Sequence, residues 1–134
     1  MRQILRLLSG IALLSIAGCS LGGSATSSIG MWEKPGADFT EIGKALLECG
    51  MPTPYDMDPE NQKRSINAKA TIYACMLQDG FRDKEARRGT WCENYKSENL
   101  PICQPGAVIP RRSVKKRLNS PFCKQHPEQY ECYP

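Results

Sequence analysis

The first apolar run of the chain is short and directly follows two positive charges. Arg2 and Arg6 precede an apolar stretch from Leu7 to Ile16. As a helix, this stretch would span about 15 Å, only about half of the hydrocarbon core of a bilayer. The pattern therefore predicts a cleaved secretory signal peptide over residues 1–18, and not a transmembrane helix.

The apolar run ends in Ile16-Ala17-Gly18-Cys19, an aliphatic residue and two small residues before a cysteine. This sequence resembles the bacterial lipobox. The resemblance implies cleavage before Cys19 and a mature chain anchored by acyl chains such as palmitate on that residue. An ordinary signal peptide that leaves Cys19 as a free thiol is the alternative. Ser20 stands where aspartate retains enteric lipoproteins in the inner membrane, so we expect the outer membrane of a Gram-negative bacterium.

Apolar residues recur at helical spacing in two segments, which predicts a helical pair within residues 31–81. One helix is expected over about residues 59–79, followed by Gly80 as a C-terminal stop. Residues 19–30 are small, polar and uncharged, and they predict a flexible tether. The other helix is expected over about residues 39–49, on the spacing of Phe39, Ile42, Leu46 and Cys49.

Beyond residue 81 the helical repeat fades, and proline, glycine and cysteine become dense. Residues 82–134 are therefore expected to form a basic, cysteine-rich segment with little regular structure. The predicted fold class is mainly α: a small helical pair followed by a disulfide-stapled, loop-rich C-terminal segment.

Apart from Cys19, the chain has an even number of cysteines, which in an exported protein predicts three disulfides. A Cys49–Cys75 bridge would join the two helices if the proline-rich loop between them runs back along their length. The four later cysteines allow three arrangements, of which we favour the local pairs Cys92–Cys103 and Cys123–Cys132. A zinc site is the weaker alternative, because the chain has no CxxC pair and one histidine.

Two motifs flank the predicted helices. Trp32-Glu33-Lys34-Pro35-Gly36 precedes the first helix, and Cys75-Met76-Leu77-Gln78-Asp79-Gly80-Phe81 ends the second. Residues 32–81 are thereby similar to a class of short Gram-negative lipoproteins, several of them associated with prophages or genomic islands. The resemblance implies the Cys49–Cys75 pairing. It implies no activity, because none is established for the class, and the tail after Phe81 lies outside it.

Charge is distributed unevenly along the mature chain. Residues 19–80 carry 5 basic and 8 acidic side chains, whereas residues 81–134 carry 11 basic and 6 acidic ones. The densest cluster predicts a basic contact surface for acidic or phosphate-rich partners, with a solvated loop as the alternative. Its members are Arg111, Arg112, Lys115, Lys116 and Arg117.

Motifs of the common hydrolases and nucleotide-binding proteins are missing from the sequence, including G-x-S-x-G, the phosphate loop and HExxH. His126 is expected in a solvated loop. Glu41 and Glu48 share a helix face, which we interpret as solvated rather than as an acid–base pair. Trp32 is expected to pack over the helical pair, and Trp91 to cover a disulfide. We therefore predict that the protein is not an enzyme and has no cofactor or metal.

The leading hypothesis is a non-enzymatic interaction or accessory lipoprotein that presents a basic face to an envelope protein. The first alternative is a binding module for an anionic envelope lipid or polymer. The second, suggested by the prophage association of similar proteins, is exclusion of phage or of a conjugating donor. The expected compartment disfavours nucleic acid as a partner.

Overall fold

The structure is a computed structural model that describes residues 28–55, 59–85 and 89–134. The predicted signal peptide, Cys19 and the tether up to residue 27 lie outside the described residues. The described chain is mainly helical, as predicted, and none of its helices is long and apolar enough to cross a membrane. Its α-helices are α1 (Ser28–Met31), α2 (Phe39–Glu48), α3 (Pro59–Gln62), α4 (Ile66–Gln78), α5 (Trp91–Asn94), α6 (Val114–Leu118) and α7 (Pro121–Gln125).

Short non-α elements complete the described fold. Strands β1 (Trp32–Glu33) and β2 (Arg82–Asp83) pair antiparallel and bring the two ends of the helical pair together. An ion pair between Glu33 and Arg82 lies across this small sheet. Three 3₁₀ turns follow in the C-terminal segment, at Lys96–Glu98, Pro101–Cys103 and Tyr130–Cys132.

Helices α2 and α4 end in the same way, as their glycines predict. Gly50 and Gly80 both adopt positive φ, at 105° and 91°. After α2, the Met51 N–H donates to the carbonyl of Leu46, and after α4 the Phe81 N–H donates to Met76 in the same manner. These are the hydrogen bonds of the Schellman motif, and they turn the next apolar side chain into the core.

The second predicted helix is present as two segments, α3 and α4. The Ser65 side chain accepts from the Ala68 N–H and so starts α4 with a cap of its own. The buried side chain of Asn61 in α3 bonds the backbone of Thr53 and Tyr55, at 3.1 and 2.7 Å from its Nδ2. These bonds hold α3 against the proline-rich loop. The sequence analysis missed the break because Ser65 lies inside a run with helical spacing.

The first described helix includes residues that the sequence did not predict to be helical. Residues 28–30 were assigned to the tether, but they belong to α1. Ile29 is buried in the main core, which explains the difference: it is the one large apolar residue late in a polar stretch. The prediction of a tether is therefore wrong for residues 28–30, and residues 19–27 lie outside the described residues.

Helix α2 lies between two hydrophobic clusters. Leu46 packs in the larger one, beside Trp32 and Phe81, whereas its neighbour Leu47 packs against Phe122 in the smaller one. Both leucines are almost fully buried. Because consecutive helical residues point about 100° apart, α2 serves as the wall shared by the two cores.

Three disulfides hold the described elements together, in the pairs that the sequence analysis favoured. Cys49–Cys75 joins the ends of α2 and α4 inside the larger core. Cys92–Cys103 closes a short loop at the surface, and Cys123–Cys132 joins α7 to the last 3₁₀ turn.

Opening these bridges should destabilise the protein unequally. On the chain-entropy relation, the 26-residue separation of Cys49 and Cys75 contributes about 3.5 kcal/mol, and the 11-residue separation of Cys92 and Cys103 about 2.8 kcal/mol. We expect Cys49→Ala/Cys75→Ala to lower the free energy of unfolding in urea by more than Cys92→Ala/Cys103→Ala does, because it also leaves a gap in the core. Equal losses of unfolding free energy in the two double variants, or a larger loss in Cys92→Ala/Cys103→Ala, would contradict the expected order.

Candidate functional site

The predicted basic contact surface does not form as one surface. Two of its five members, Arg112 and Arg117, turn inward to Glu48 on α2. The Arg112 Nε lies 3.1 Å from Glu48 Oε1, and the Arg117 Nε lies 2.7 Å from Glu48 Oε2. The side chains of Arg117 and Glu48 are only 4% and 8% exposed. Both arginines are therefore structural, and the prediction is wrong for them.

Arg117 uses its remaining donors on the C-terminal end of the chain. Its Nη1 donates to the carbonyls of Glu131 and Tyr133, at 2.7 and 2.6 Å. A buried guanidinium is stable only when its N–H groups are paired, and these two carbonyls add to the pairing that Glu48 provides. The C-terminal 3₁₀ turn is thereby fixed against α6.

Arg112 joins three acidic side chains at the centre of the molecule. Besides Glu48, it reaches Glu41 at 3.0 Å and Asp79 at 2.9 Å. Lys34 completes the cluster, 3.3 Å from the Asp79 carboxylate, and it also donates to the Asp79 backbone carbonyl. We call these residues, with Arg117, the ion-pair cluster. It connects the loop before α2, both long helices and the basic segment.

The electrostatics of the cluster follow from these contacts. Burial alone would raise the pKa of Asp79, but the hydrogen bonds from Arg112 and Lys34 outweigh it and lower the pKa of that carboxyl. Burial alone would lower the pKa of Arg112, but the hydrogen bonds to Asp79 and Glu41 and the charge of Glu48 raise it. The cluster therefore stabilises the charged forms of Asp79 and Arg112.

The interpretation of Glu41 and Glu48 as a solvated face is wrong for Glu48, which is buried. The two carboxylates do share a helix face, but that face is covered by Arg112. The sequence analysis treated a helix face with two acids as exposed because the covering arginine lies 64 residues away.

The other three basic-segment residues remain at the surface. Arg111, Lys115 and Lys116 are exposed. Lys115 and Lys116 belong to α6, which also exposes Val114 and Leu118 by 49% and 36%. We call Arg111, Lys115 and Lys116 the basic edge. Apolar side chains are mixed with its cations.

A cavity of about 310 Å³ lies between α1, α4, α5 and the loop after α2. Its lining is largely aromatic and aliphatic, and two cations, Arg64 and Lys69, stand among the lining residues. The apolar part is formed by Met31, Trp32, Leu46, Met51, Ile72, Tyr73 and Trp91. Both tryptophans of the chain thus line the same space.

A second cavity of about 420 Å³ adjoins the first. Met51, Pro52, Arg64 and Ile72 line both cavities, and Lys116 lines the second. We call the two spaces together the cleft. The sequence analysis did not identify Arg64 or Lys69, because they belong to no charge run; a pair of cations around the Ser65 cap was their only signal.

The tryptophans are held by neighbouring rings. Trp32 is buried against Tyr73 with ring centroids 5.2 Å apart, in agreement with the expectation that it packs over the helical pair. Trp91 stacks on Tyr95 with ring centroids 5.0 Å apart and lines the cleft, and its expected role as the cover of a disulfide stays a prediction. Burial, together with the charge of Asp83 and a hydrogen bond to it, raises the pKa of Tyr73.

His126 is half exposed after α7, as expected for a loop histidine. Its ring lies 5.2 Å from that of Phe122, and its Nδ1 is 3.9 Å from Glu128. Within residues 28–55, 59–85 and 89–134, no group of three metal-ligating side chains lies together.

Comparison of the chain with protein-family profiles, curated proteins and solved structures finds no match.

Glu48 should be among the positions of α2 that are most sensitive to substitution. We expect Glu48→Ala to lower the free energy of unfolding by about 3–5 kcal/mol, because it leaves the buried Arg117 without its carboxylate. Glu60→Ala is the matched control: it removes a carboxylate from the exposed pair with Lys63 and should cost at most about 1 kcal/mol. Chemical denaturation measures both, and similar losses would show that the cluster is not central to stability.

Asp79 should make stability fall in acid. Because its pKa is lower in the folded than in the unfolded protein, its contribution is complete above the ordinary value of 3.8. That contribution is lost as the pH falls from 3.8 through the folded pKa. The difference in urea midpoint between wild type and Asp79→Asn should therefore be present in full at pH 7 and should shrink as the pH falls below 3.8. A difference that does not change with pH would refute the contribution of the Asp79 carboxylate. Glu98→Gln, which changes an exposed carboxylate, is the control.

Proposed function

We propose that the protein is a lipid-anchored, non-enzymatic binding module of the bacterial envelope, and that the cleft is its binding surface. The observation that carries the proposal is that Ser28, nine residues after Cys19 in the sequence, lies at the cleft. Ser28, the first described residue, lines the cleft. Even fully extended, the residues from Cys19 to Ser28 span at most about 30 Å. A lipid on Cys19 would therefore keep the cleft close to the membrane surface.

The chemistry of the described residues supports binding rather than catalysis. The acidic side chains that lie close together, Glu41, Glu48 and Asp79, are each bound to Arg112 and are stabilised as ion-pair partners. The cleft presents aromatic, aliphatic and cationic groups. Such a lining suits recognition of an amphiphilic ligand, because apolar walls bind its body while a few polar groups fix its orientation.

A protein partner at the basic edge is the second candidate. It is favoured by the exposed apolar pair Val114 and Leu118, which accompanies Lys115 and Lys116 on α6. Mixed apolar and cationic surfaces of this kind are typical of protein contacts. Phage or donor exclusion stays a hypothesis that depends only on the resemblance of residues 32–81.

The anchor can be tested by intact-mass spectrometry of the protein from envelope fractions. The wild type should begin at Cys19 and carry the mass of diacylglycerol and a further acyl chain. Cys19→Ser should keep residues 1–18 and have the unmodified mass of 14.9 kDa. A wild-type protein without lipid would refute the anchor.

Ser20→Asp is the matched control for sorting. It preserves Cys19, so the lipid should remain, but the protein should move from the outer to the inner membrane fraction.

Cross-linking of intact cells tests the second candidate: Arg111→Glu/Lys115→Glu/Lys116→Glu should lose any partner held at the basic edge. Unchanged capture would exclude that edge as the interface.

A further inference from the structure

We propose that the first cavity of the cleft binds an anionic phospholipid of the membrane that holds the protein, with an acyl chain among the aromatic residues and the phosphate at Arg64 and Lys69. This inference depends on the proposed function, because the anchor brings the cavity to the lipid. It goes further by naming the class of ligand and the residues that select it.

The apolar lining is suited to an alkyl chain. Trp32, Tyr73 and Trp91 provide flat ring surfaces, and Met31 and Met51 provide side chains that adapt to an irregular ligand. The volume of about 310 Å³ lies at the lower end of the range for small-molecule sites. The cavity is therefore large enough for part of a lipid, but not for a folded partner.

The charge of the cavity selects an anion. Arg64 is exposed and Lys69 is half exposed, and neither forms an ion pair with another described residue. By contrast, Lys34, Arg112 and Arg117 are held by carboxylates or carbonyls. No carboxylate of the described chain lines the cavity. Arg64 and Lys69 are thus cations beside an apolar space with no internal counter-ion among these residues.

The position of the cavity selects a membrane lipid over other anionic amphiphiles. Ser28 lines the cavity, and the chain that leads from it to Cys19 is short. Tryptophan and tyrosine rings favour the interface between headgroups and acyl chains, and cations near an anionic membrane surface are attracted to its phosphates. The apolar and cationic lining of the cavity is therefore joined by a short stretch of chain to the predicted lipid anchor.

Intrinsic fluorescence can test this directly, because the two tryptophans of the chain both line the cavity. The probe is dihexanoyl phosphatidylglycerol at concentrations at which it is monomeric. The protein is the full mature chain with Cys19→Ser, exported behind a signal peptide without a lipobox, so that it lacks only its own lipid. We expect a saturable blue shift, with a dissociation constant at least about tenfold below that for dihexanoyl phosphatidylcholine. Glycerol phosphate, which has the anion without acyl chains, should give no shift.

Charge reversal locates the site. Arg64→Glu/Lys69→Glu should raise the dissociation constant by about tenfold or more, whereas Arg111→Glu/Lys115→Glu, which reverses two exposed cations outside the cavity, should change it by less than about twofold. Equal affinity for both phospholipids, no saturable shift, or equal loss in both variants would overturn the inference. Thermal melting shows that each variant is folded, and Arg64→Gln/Lys69→Gln replaces the first if it is not.

The two proposals can fail separately. A lipidated wild-type protein whose mature chain shows no phospholipid binding overturns this inference alone. A wild-type protein without lipid on Cys19 overturns the anchor, and the titration still decides whether the cavity binds the anionic phospholipid.

Discussion

The fold depends on one buried carboxylate, that of Glu48. Each of its oxygens faces a different guanidinium, Arg112 on one side and Arg117 on the other. An ion pair with so little contact with water contributes to stability only if every charged group is fully paired, because desolvation opposes it. The backbone carbonyls of Glu131 and Tyr133 satisfy this condition for Arg117. The C-terminal segment, which has few long helices of its own, is held to α2 by this arrangement.

The ion pairs of Glu48 also change the interpretation of the uneven charge distribution along the chain. The first half of the mature chain is acidic and the second half basic, and the sequence analysis attributed the basic excess to an external partner. In the structure, two cations of the basic half are directed at the acidic half: Arg112 pairs with Glu41, Glu48 and Asp79, and Arg117 pairs with Glu48. Complementary halves of one chain thus bind each other, and the charge available to a partner is smaller than the sequence indicates.

The sequence predicted what local chemistry determines. The glycine stop at Gly80 and the short-range disulfides Cys92–Cys103 and Cys123–Cys132 depend on residues near one another in the chain, so their patterns are visible before folding. The burial of Glu48 was not predictable in this way, because its partner Arg117 lies 69 residues further on. A cluster of five cations has the composition of a solvated surface, and nothing local distinguishes the two that turn inward.

The cleft also could not be predicted from local sequence. As single charges in the sequence, Arg64 and Lys69 do not indicate a binding site. In the fold, they lie beside an apolar space with no carboxylate among its described lining residues. Lys116, from the basic segment, lines the second cavity together with Arg64, so the surviving basic edge and the cleft share a boundary. The proposed phospholipid at Arg64 and Lys69 and a protein partner at Lys116 would therefore lie against adjoining parts of one cleft, with Arg64 on the boundary between them.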